Sequence, residues 1–111
     1  MNVLTKDARN AEQLGKDALL VATDDVAVSE YSLEPGSEPG DPHYHAHHTD
    51  SFYVIEGELE FQIDGRAIRV TAGTLLVAPR GAVHGFPIAI GARARFLNLH
   101  TPGLDWRGYL R

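Results

Sequence analysis

Four histidines and one carboxylate lie within eight residues, in the stretch His43-Tyr-His-Ala-His-His-Thr-Asp50. Side chains two residues apart point to the same side of an extended chain, so His43, His45 and His47 can share one face. Imidazole nitrogens bind zinc, iron, copper and nickel, and the carboxylate of Asp50 can add a hard oxygen ligand. The pattern indicates a site for a divalent metal, with a solvated histidine-rich loop of no function as the alternative.

The composition limits the kinds of protein that this chain can be. Its 111 residues are 43% apolar, which is enough for one domain with a hydrophobic core. The absence of cysteine leaves only nitrogen and oxygen ligands for a metal. A formal net charge of −5 without a basic cluster argues against nucleic acid and anionic membranes as partners. Without a secretory signal pattern or a long apolar run, we expect a cytoplasmic protein.

The elements that must position these residues are predicted to be strands. Apolar and polar residues alternate from Glu58 to Asp64, which predicts a strand with Leu59, Phe61 and Ile63 facing inward. Asp64-Gly65 is a preferred two-residue hairpin turn, and residues 66–71 form the predicted return strand.

Further short strands are expected on both sides of this hairpin. A loop rich in proline and glycine, residues 34–42, delivers the chain to His43, and the polar residues 1–17 are expected to be irregular or helical. Turn signals separate the other predicted strands, at residues 19–22, 26–33, 51–56, 74–78, 83–86 and 92–100. Short strands at this spacing predict an all-β sandwich or barrel.

Two spaced motifs flank the hairpin. The upstream motif His43-x-His45-x4-Asp50-x6-Gly57 is followed by Gly73-x5-Pro79-x-Gly81-x2-His84. In this order the pair resembles the two signature motifs of the cupin superfamily, which implies a double-stranded β-helix (jelly-roll) barrel. The end of the chain, residues 95–103, also resembles the last strand of small quercetin-dioxygenase-like cupins. The resemblance implies a single cupin domain over residues 1–111, with its barrel core at about 19–101.

The same resemblance implies the ligands. His43, His45, Asp50 and His84 would converge on one divalent transition metal, which can be iron, manganese, nickel, zinc or copper. Asp50 stands where the family usually has glutamate, so it can bind the metal directly, bind through water, or cap a turn instead. Smaller departures from the motifs are Ser37 in place of a glycine and Ile88 in place of an asparagine. His47 is the substitute ligand if the register is off by two, and His48 is expected in solvent.

Other residues complete the predicted site and surface. Residues 52–55 are apolar on both faces of one strand, which favours a homodimer over a fully buried strand. Phe96 is predicted to belong to the core, whereas Asn98 and His100 either line the cavity or pack within it. Trp106 and Tyr109 are predicted to pack the tail onto the barrel.

Two classes of function follow from a site of this kind. A metal held by imidazoles and a carboxylate can bring an oxygenated organic substrate and dioxygen together, so we expect an enzyme of the dioxygenase type. The same metal as a Lewis acid can instead support an isomerase or a cyclase. The alternative is a non-catalytic module that binds a small molecule, because one fold hosts many functions.

Overall fold

The computed structural model describes residues 3–14 and 17–104, with the backbone alone at residues 14 and 17. A short 3₁₀ helix at Ala8–Asn10 is followed in the described residues by nine strands. Their bounds are β1 Glu12–Leu14, β2 Asp17–Ala22, β3 Ala27–Leu33, β4 Thr49–Glu56, β5 Glu58–Ile63, β6 Arg66–Thr71, β7 Leu75–Ala78, β8 Ile88–Ala89 and β9 Ala94–Thr101. The all-β class predicted from the sequence is confirmed.

The strands form two antiparallel sheets. The larger sheet has the order β1-β2-β3-β9-β4-β7, and the smaller has the order β6-β5-β8. Strand β4 lies between β9 and β7, with Asp50 opposite His100 on one side and Ala78 on the other. Because sheets alternate their side chains between two faces, this register decides which residues of β4 and β9 point into the barrel.

The β5–β6 hairpin forms as the sequence predicts. Glu58 pairs with Thr71 and Ile63 pairs with Arg66, so the turn falls at Asp64-Gly65. Both turn residues have positive φ, 47° at Asp64 and 79° at Gly65, which is the backbone of a type I′ turn. Asparagine, aspartate and glycine tolerate this left-handed conformation best, and these are the residue types that the turn uses.

The core fills the space between the two sheets. Phe52 of β4 and Phe61 of β5 meet across this space with their ring centroids 4.7 Å apart. Phe96 of β9 is fully buried, as predicted, in the same cluster. Burying one such phenylalanine contributes about 1.5–3 kcal/mol relative to leaving it exposed. Gly57 joins the sheets at φ 84°, where an added Cβ would lie 2.6 Å from the carbonyl oxygen of Arg93.

Two local predictions are wrong. The segment predicted as irregular or helical contains strand β1, because its residues pair with β2 in a short hairpin. The strand predicted at residues 83–86 is reduced to isolated bridges at His84, which pairs with both His43 and Ile63, and the regular strand β8 follows Pro87 instead. The predicted packing of Trp106 and Tyr109 concerns residues outside the described part of the chain.

No helix within residues 3–14 and 17–104 is long and apolar enough to cross a membrane. The cytoplasmic location stays a prediction.

Candidate metal centre

The inward faces of β4 and β9 change from apolar to polar toward one end of the barrel. Val54 lies opposite Phe96, Phe52 lies opposite Asn98, and Asp50 lies opposite His100. Asp50, Asn98 and His100 are all buried. The period of two along each strand therefore brings a carboxylate, an amide and an imidazole to the same end of the interior.

Backbone hydrogen bonds place the histidines that do not lie on regular strands. The amide of His43 donates to the carbonyl of His84 at 2.8 Å, and the amide of His84 donates back to the carbonyl of His43 at 2.7 Å. The amide of Gly81, in the Pro79–Gly81 turn, donates to the carbonyl of His45 at 3.0 Å. The second motif thus fixes the backbone at both His43 and His45.

The hairpin turn also supports His84. The carboxylate of Asp64 accepts a hydrogen bond from the amide of Val83 at 2.8 Å, and the amide of Asp64 donates to the carbonyl of Val83 at 2.7 Å. The residue before His84 is therefore held to the tip of the β5–β6 hairpin. This contact connects the β5–β6 hairpin to the candidate metal centre.

The four residues named from the motifs come together. Each of His43, His45, Asp50 and His84 offers one ligand atom, and these atoms lie within 4.8 Å of one another. The Nε2 atom of His84 is 2.9 Å from Asp50 Oδ2, and the Nε2 atom of His45 is 3.6 Å from it. Ligands bound at about 2.1 Å to one ion lie roughly 3.0–3.4 Å from their neighbours, so the spacing and the nitrogen and oxygen donors fit a divalent transition metal.

Two of the imidazoles are oriented by backbone carbonyls. The Nδ1 atom of His43 is 2.9 Å from the carbonyl oxygen of Asp41, and the Nδ1 atom of His84 is 3.1 Å from that of Ala82. A carbonyl accepts only, so Nδ1 of each ring carries a proton. The Nε2 atom of His84 also donates to Asp50 Oδ2, so His84 must lose this second proton before it can bind a metal. In the neutral form of both rings the Nε2 lone pair is left for a metal, as is usual for histidine ligands held by an outer hydrogen bond.

Asp50 lies at the centre of the polar end. Its Oδ2 atom faces His84. Its Oδ1 atom accepts a hydrogen bond from the side-chain amide of Asn98 and lies 3.3 Å from His100 Nε2. Burial would raise the pKa of Asp50, but the contacts with His100, His84 and Asn98 outweigh it and hold the pKa below its usual range. Asp50 is therefore a buried carboxylate anion that contacts the side chains of His84, Asn98 and His100, which argues against a turn-capping role.

The same environment shifts the pKa values of His45 and His84 in opposite directions. Burial and the neighbouring His48 lower the pKa of His45 to about 4, despite the opposing charge of Asp50. Burial also acts to lower the pKa of His84, but its hydrogen bonds with Asp50 and Ala82 raise the pKa above the ordinary value. His45 is thus neutral at pH 7, which is the form that coordinates a metal.

The prediction for the remaining two histidines of the cluster is partly wrong. The chain from His43 to His48 is not a continuous strand, because it bends at Ala46 and His47. The bend leaves His47 exposed and outside both groups of candidate ligands. His48, which was expected in solvent, turns inward and stacks on His45 with ring centroids 4.2 Å apart. Strict alternation failed here since it requires an extended backbone through both residues.

The site opens into a cavity of about 140 Å³. Asn98 and His100 do line it, which resolves the choice that the sequence left open. Its wall combines the polar end of the barrel with three aromatic side chains, and the lining residues are Tyr31, His43, His45, Asp50, Phe52, His84, Gly85, Phe86, Asn98 and His100. A molecule in this cavity would contact both the candidate metal ligands and aromatic rings.

These two antiparallel sheets around a histidine-lined interior are the arrangement of a double-stranded β-helix barrel. Comparison with known proteins agrees, because a family model described as "Cupin domain" matches residues 29–100. The chain belongs to this cupin family, as the two motifs implied. A solved structure with a double-stranded β-helix domain from Klebsiella pneumoniae is 26% identical with a TM-score of 0.73, and the match covers 92% of each chain.

Two further relatives are informative. KdgF from Halomonas sp. is also 26% identical with a TM-score of 0.73, over 82% of this chain and 81% of that one. Quercetin 2,3-dioxygenase from Bacillus subtilis is 39% identical over 62 residues, which is 56% of this chain. The match spans only 18% of the dioxygenase, so the similarity concerns one part of a much longer protein.

Proposed function

We propose that the chain is a metal-dependent enzyme of the dioxygenase type that acts on a small oxygenated organic substrate. The observation that carries this proposal is the convergence of His43, His45, Asp50 and His84 at a cavity whose lining also includes aromatic rings. The similarity to the Bacillus subtilis quercetin 2,3-dioxygenase supports the same class of reaction. A transition metal at this centre would supply binding of a substrate oxygen and of dioxygen.

The chain's own residues have distinct tasks in this proposal. His43, His45, Asp50 and His84 hold the ion, and Asn98 and His100 keep the carboxylate of Asp50 in place through its Oδ1 atom. Phe52, Phe86 and Tyr31 provide an apolar surface against which the carbon skeleton of a substrate can pack. Such packing would exclude water from the space between the substrate and the ligands.

The size of the cavity limits the substrate. Pockets for drug-sized ligands measure roughly 300–1,000 Å³, whereas this cavity measures about 140 Å³. A compact substrate such as a short diketone is therefore favoured over a flavonol with three rings. The same metal can instead act as a Lewis acid, which keeps an isomerase or a cyclase as the second catalytic candidate.

We also propose that two copies of the chain associate through the outer face of β4 and β7. Tyr53 is 40% exposed on β4, and its neighbours on the edge strand β7, Leu75 and Val77, are 54% and 51% exposed. A second copy related by a two-fold axis presents the same apolar face, so the patch can cover itself. Sedimentation at micromolar concentration should give a dimer for the wild type and a monomer for Val77→Glu; a monomeric wild type contradicts the proposal.

Elemental analysis and oxygen uptake test the enzymatic proposal. Protein purified without added metal should carry close to one transition-metal ion per chain and consume oxygen with small diketones faster than with flavonols. His45→Ala should abolish the uptake, and His47→Ala, which changes an exposed neighbour, should leave it unchanged. If metal is bound but no substrate is turned over, the non-catalytic binding module becomes the better description, and a protein that takes up no metal contradicts both catalytic candidates.

A further inference from the structure

A second group of imidazoles lies beside the four-residue centre. The ligand atoms of His45, His48 and His100 also lie within 4.8 Å of one another. The ring of His48 stacks on His45 and meets His100 edge-on, with ring centroids 4.2 Å and 4.9 Å apart. His45 belongs to both groups, so the two groups share one side chain and are adjacent within one pocket.

The fold builds this second group from separate segments. The bend at Ala46 and His47 turns His48 inward, and the alternation of β9 points His100 to the interior beside Asp50. The side chain of His100 is 1% exposed, and the Nε2 atom of His48 is buried. Neither residue belongs to the two sequence motifs, and the metal centre described above uses neither as a ligand.

We propose that the pocket offers one divalent metal ion two alternative positions, the first among His43, His45, Asp50 and His84 and the second among His45, His48 and His100. This inference rests on the proposed metal-binding function. His100 has a different task in each state, since it faces the carboxylate of Asp50 when the first position is used and is a ligand in the second.

The two positions exclude each other because they share His45. One imidazole nitrogen has one lone pair, and a ring that bridges two ions through both nitrogens must lose its second proton. Asp50 is the carboxylate that lies among these ligands, and a single negative charge cannot balance two adjacent dications. We therefore expect one ion per chain, whichever position it occupies.

The ligand chemistry predicts which ions use which position. The first position contains a carboxylate, which suits manganese as well as iron and zinc, whereas the second offers imidazoles alone. Copper and zinc bind well to imidazole nitrogens, but manganese prefers oxygen ligands. Disabling the first position should therefore remove manganese binding and leave copper binding.

The experiment uses the full chain, stripped of metal by a chelator and titrated separately with Cu²⁺ and Mn²⁺. The background variant is His43→Ala/His84→Ala, which removes two ligands of the first position and none of the second. We expect it to bind one Cu²⁺ per chain with electron paramagnetic resonance features of nitrogen ligands, and to bind Mn²⁺ at least tenfold more weakly than the wild type. Loss of Cu²⁺ together with Mn²⁺ from the folded background variant would overturn the proposal.

Added substitutions then identify the second position. Introducing His48→Ala into the background should weaken Cu²⁺ binding by a further tenfold or more, and His47→Ala, the matched control from the neighbouring exposed position, should not. Equal Cu²⁺ affinity in the background with and without His48→Ala would exclude the second position. If the alanine background does not fold, His84→Asn replaces His84→Ala, because its amide can still donate to Asp50.

Metal titration of the wild type distinguishes failure of this inference from failure of the proposed metal-dependent function. A wild type that binds neither ion contradicts both. A wild type that binds one ion of either metal, with a background variant that binds neither, leaves the four-residue centre intact and rejects only the second position. Two Cu²⁺ ions bound at once to the wild type would reject the alternative occupancy.

Discussion

The interior of the barrel has an apolar end and a polar end, and the same two strands build both. Along β4 the inward residues run from Val54 through Phe52 to Asp50, and opposite them β9 runs from Phe96 through Asn98 to His100. The apolar end is filled by aromatic and aliphatic side chains in close contact. The polar end buries a carboxylate among imidazoles, with a cavity beside it.

The difference between the ends separates stability from chemistry. Buried apolar groups stabilise the folded state directly. Burying a charge costs desolvation free energy, which favourable contacts with its partners must offset. For Asp50, the contacts with Asn98, His84 and His100 offset that cost. We therefore expect substitutions at the apolar end to act on folding and substitutions at the polar end to act first on metal binding.

The largest effect on stability should come from Phe61→Ala at the apolar end. Phe61 is 0% exposed and contacts Phe52 across the two sheets, so its truncation leaves a cavity and costs about 3–5 kcal/mol. Chemical denaturation followed by circular dichroism measures this loss. Ile68→Ala on the neighbouring strand β6 is the control, since Ile68 is partly exposed and should cost much less. Similar losses for both variants would contradict a stabilising core at this end.

The apolar end is also the part that the sequence predicts best. Alternation fixed Leu59 and Phe61 as inward residues, and Asp64-Gly65 fixed the register of the hairpin, because both signals are local. Strands β1 and β8 were missed since each is short and depends on its partner, β2 or β5. Pairing between distant segments leaves little trace in a short stretch of sequence.

At the polar end, the next largest effect is expected for Asp50→Ala. This substitution removes the acceptor that Asn98, His84 and His100 share, and a buried donor left without its partner costs about 1–3 kcal/mol. The metal-free variant should unfold at lower denaturant than the wild type, and its metal affinity should also fall. Asp41→Ala, at an exposed carboxylate in the loop before His43, is the control. An unchanged stability would mean that the contacts of Asp50 with Asn98, His84 and His100 do not offset the free-energy cost of burying its charge.

The pH dependence of folding stability, measured without metal, should report on the polar end separately. The folded-state pKa of His45 is lowered to about 4 by burial and by His48, and burial and His100 lower that of His48 as well. Between these pH values the unfolded chain binds protons that the folded chain does not bind, so His45 and His48 lower the stability of the fold as the pH falls from about 6.5 toward 4. The raised pKa of His84 acts at higher pH, because its stabilising contribution is fully present below about 6.5 and is lost as the pH rises from there through the raised folded-state pKa.

We expect the stability to fall from pH 6.5 toward 4 because His45 and His48 resist protonation in the folded state, while the contribution of His84 is constant over this range. The lowered pKa of Asp50 adds a further loss below about pH 4, where the unfolded carboxyl becomes protonated. Denaturation at several pH values, in the presence of a chelator, measures the slope. His45→Gln should flatten it between pH 6.5 and 4, while His47→Gln should not. Equal slopes for His45→Gln and the wild type would show that burial of His45 does not control the titration.

For the polar end, the sequence predicted the four motif residues but not the inward position of His48. The motif spacing named His43, His45, Asp50 and His84, and the structure brings their ligand atoms together. His48 was misplaced because the chain bends at Ala46 and His47, next to a hydrogen bond between Gly81 and His45, which are far apart in sequence. The alternation of β9 did identify His100 as a cavity candidate, but its proximity to His48 depends on the same bend.

The smallest effect is expected for His47→Ala, which tests how sharply this bend divides the histidine cluster. His47 is exposed and belongs to neither candidate ligand group, so its loss should change stability by less than about 0.5 kcal/mol and leave the metal content unchanged. Thermal unfolding and elemental analysis of His47→Ala and His45→Ala, prepared in parallel, give the comparison. Loss of metal from His47→Ala would mean that the chain is extended through residues 43–47 and that His47 is a ligand. Retention of metal there and loss in His45→Ala would instead support the bent chain, in which His47 is exposed while its neighbour His48 reaches the pocket.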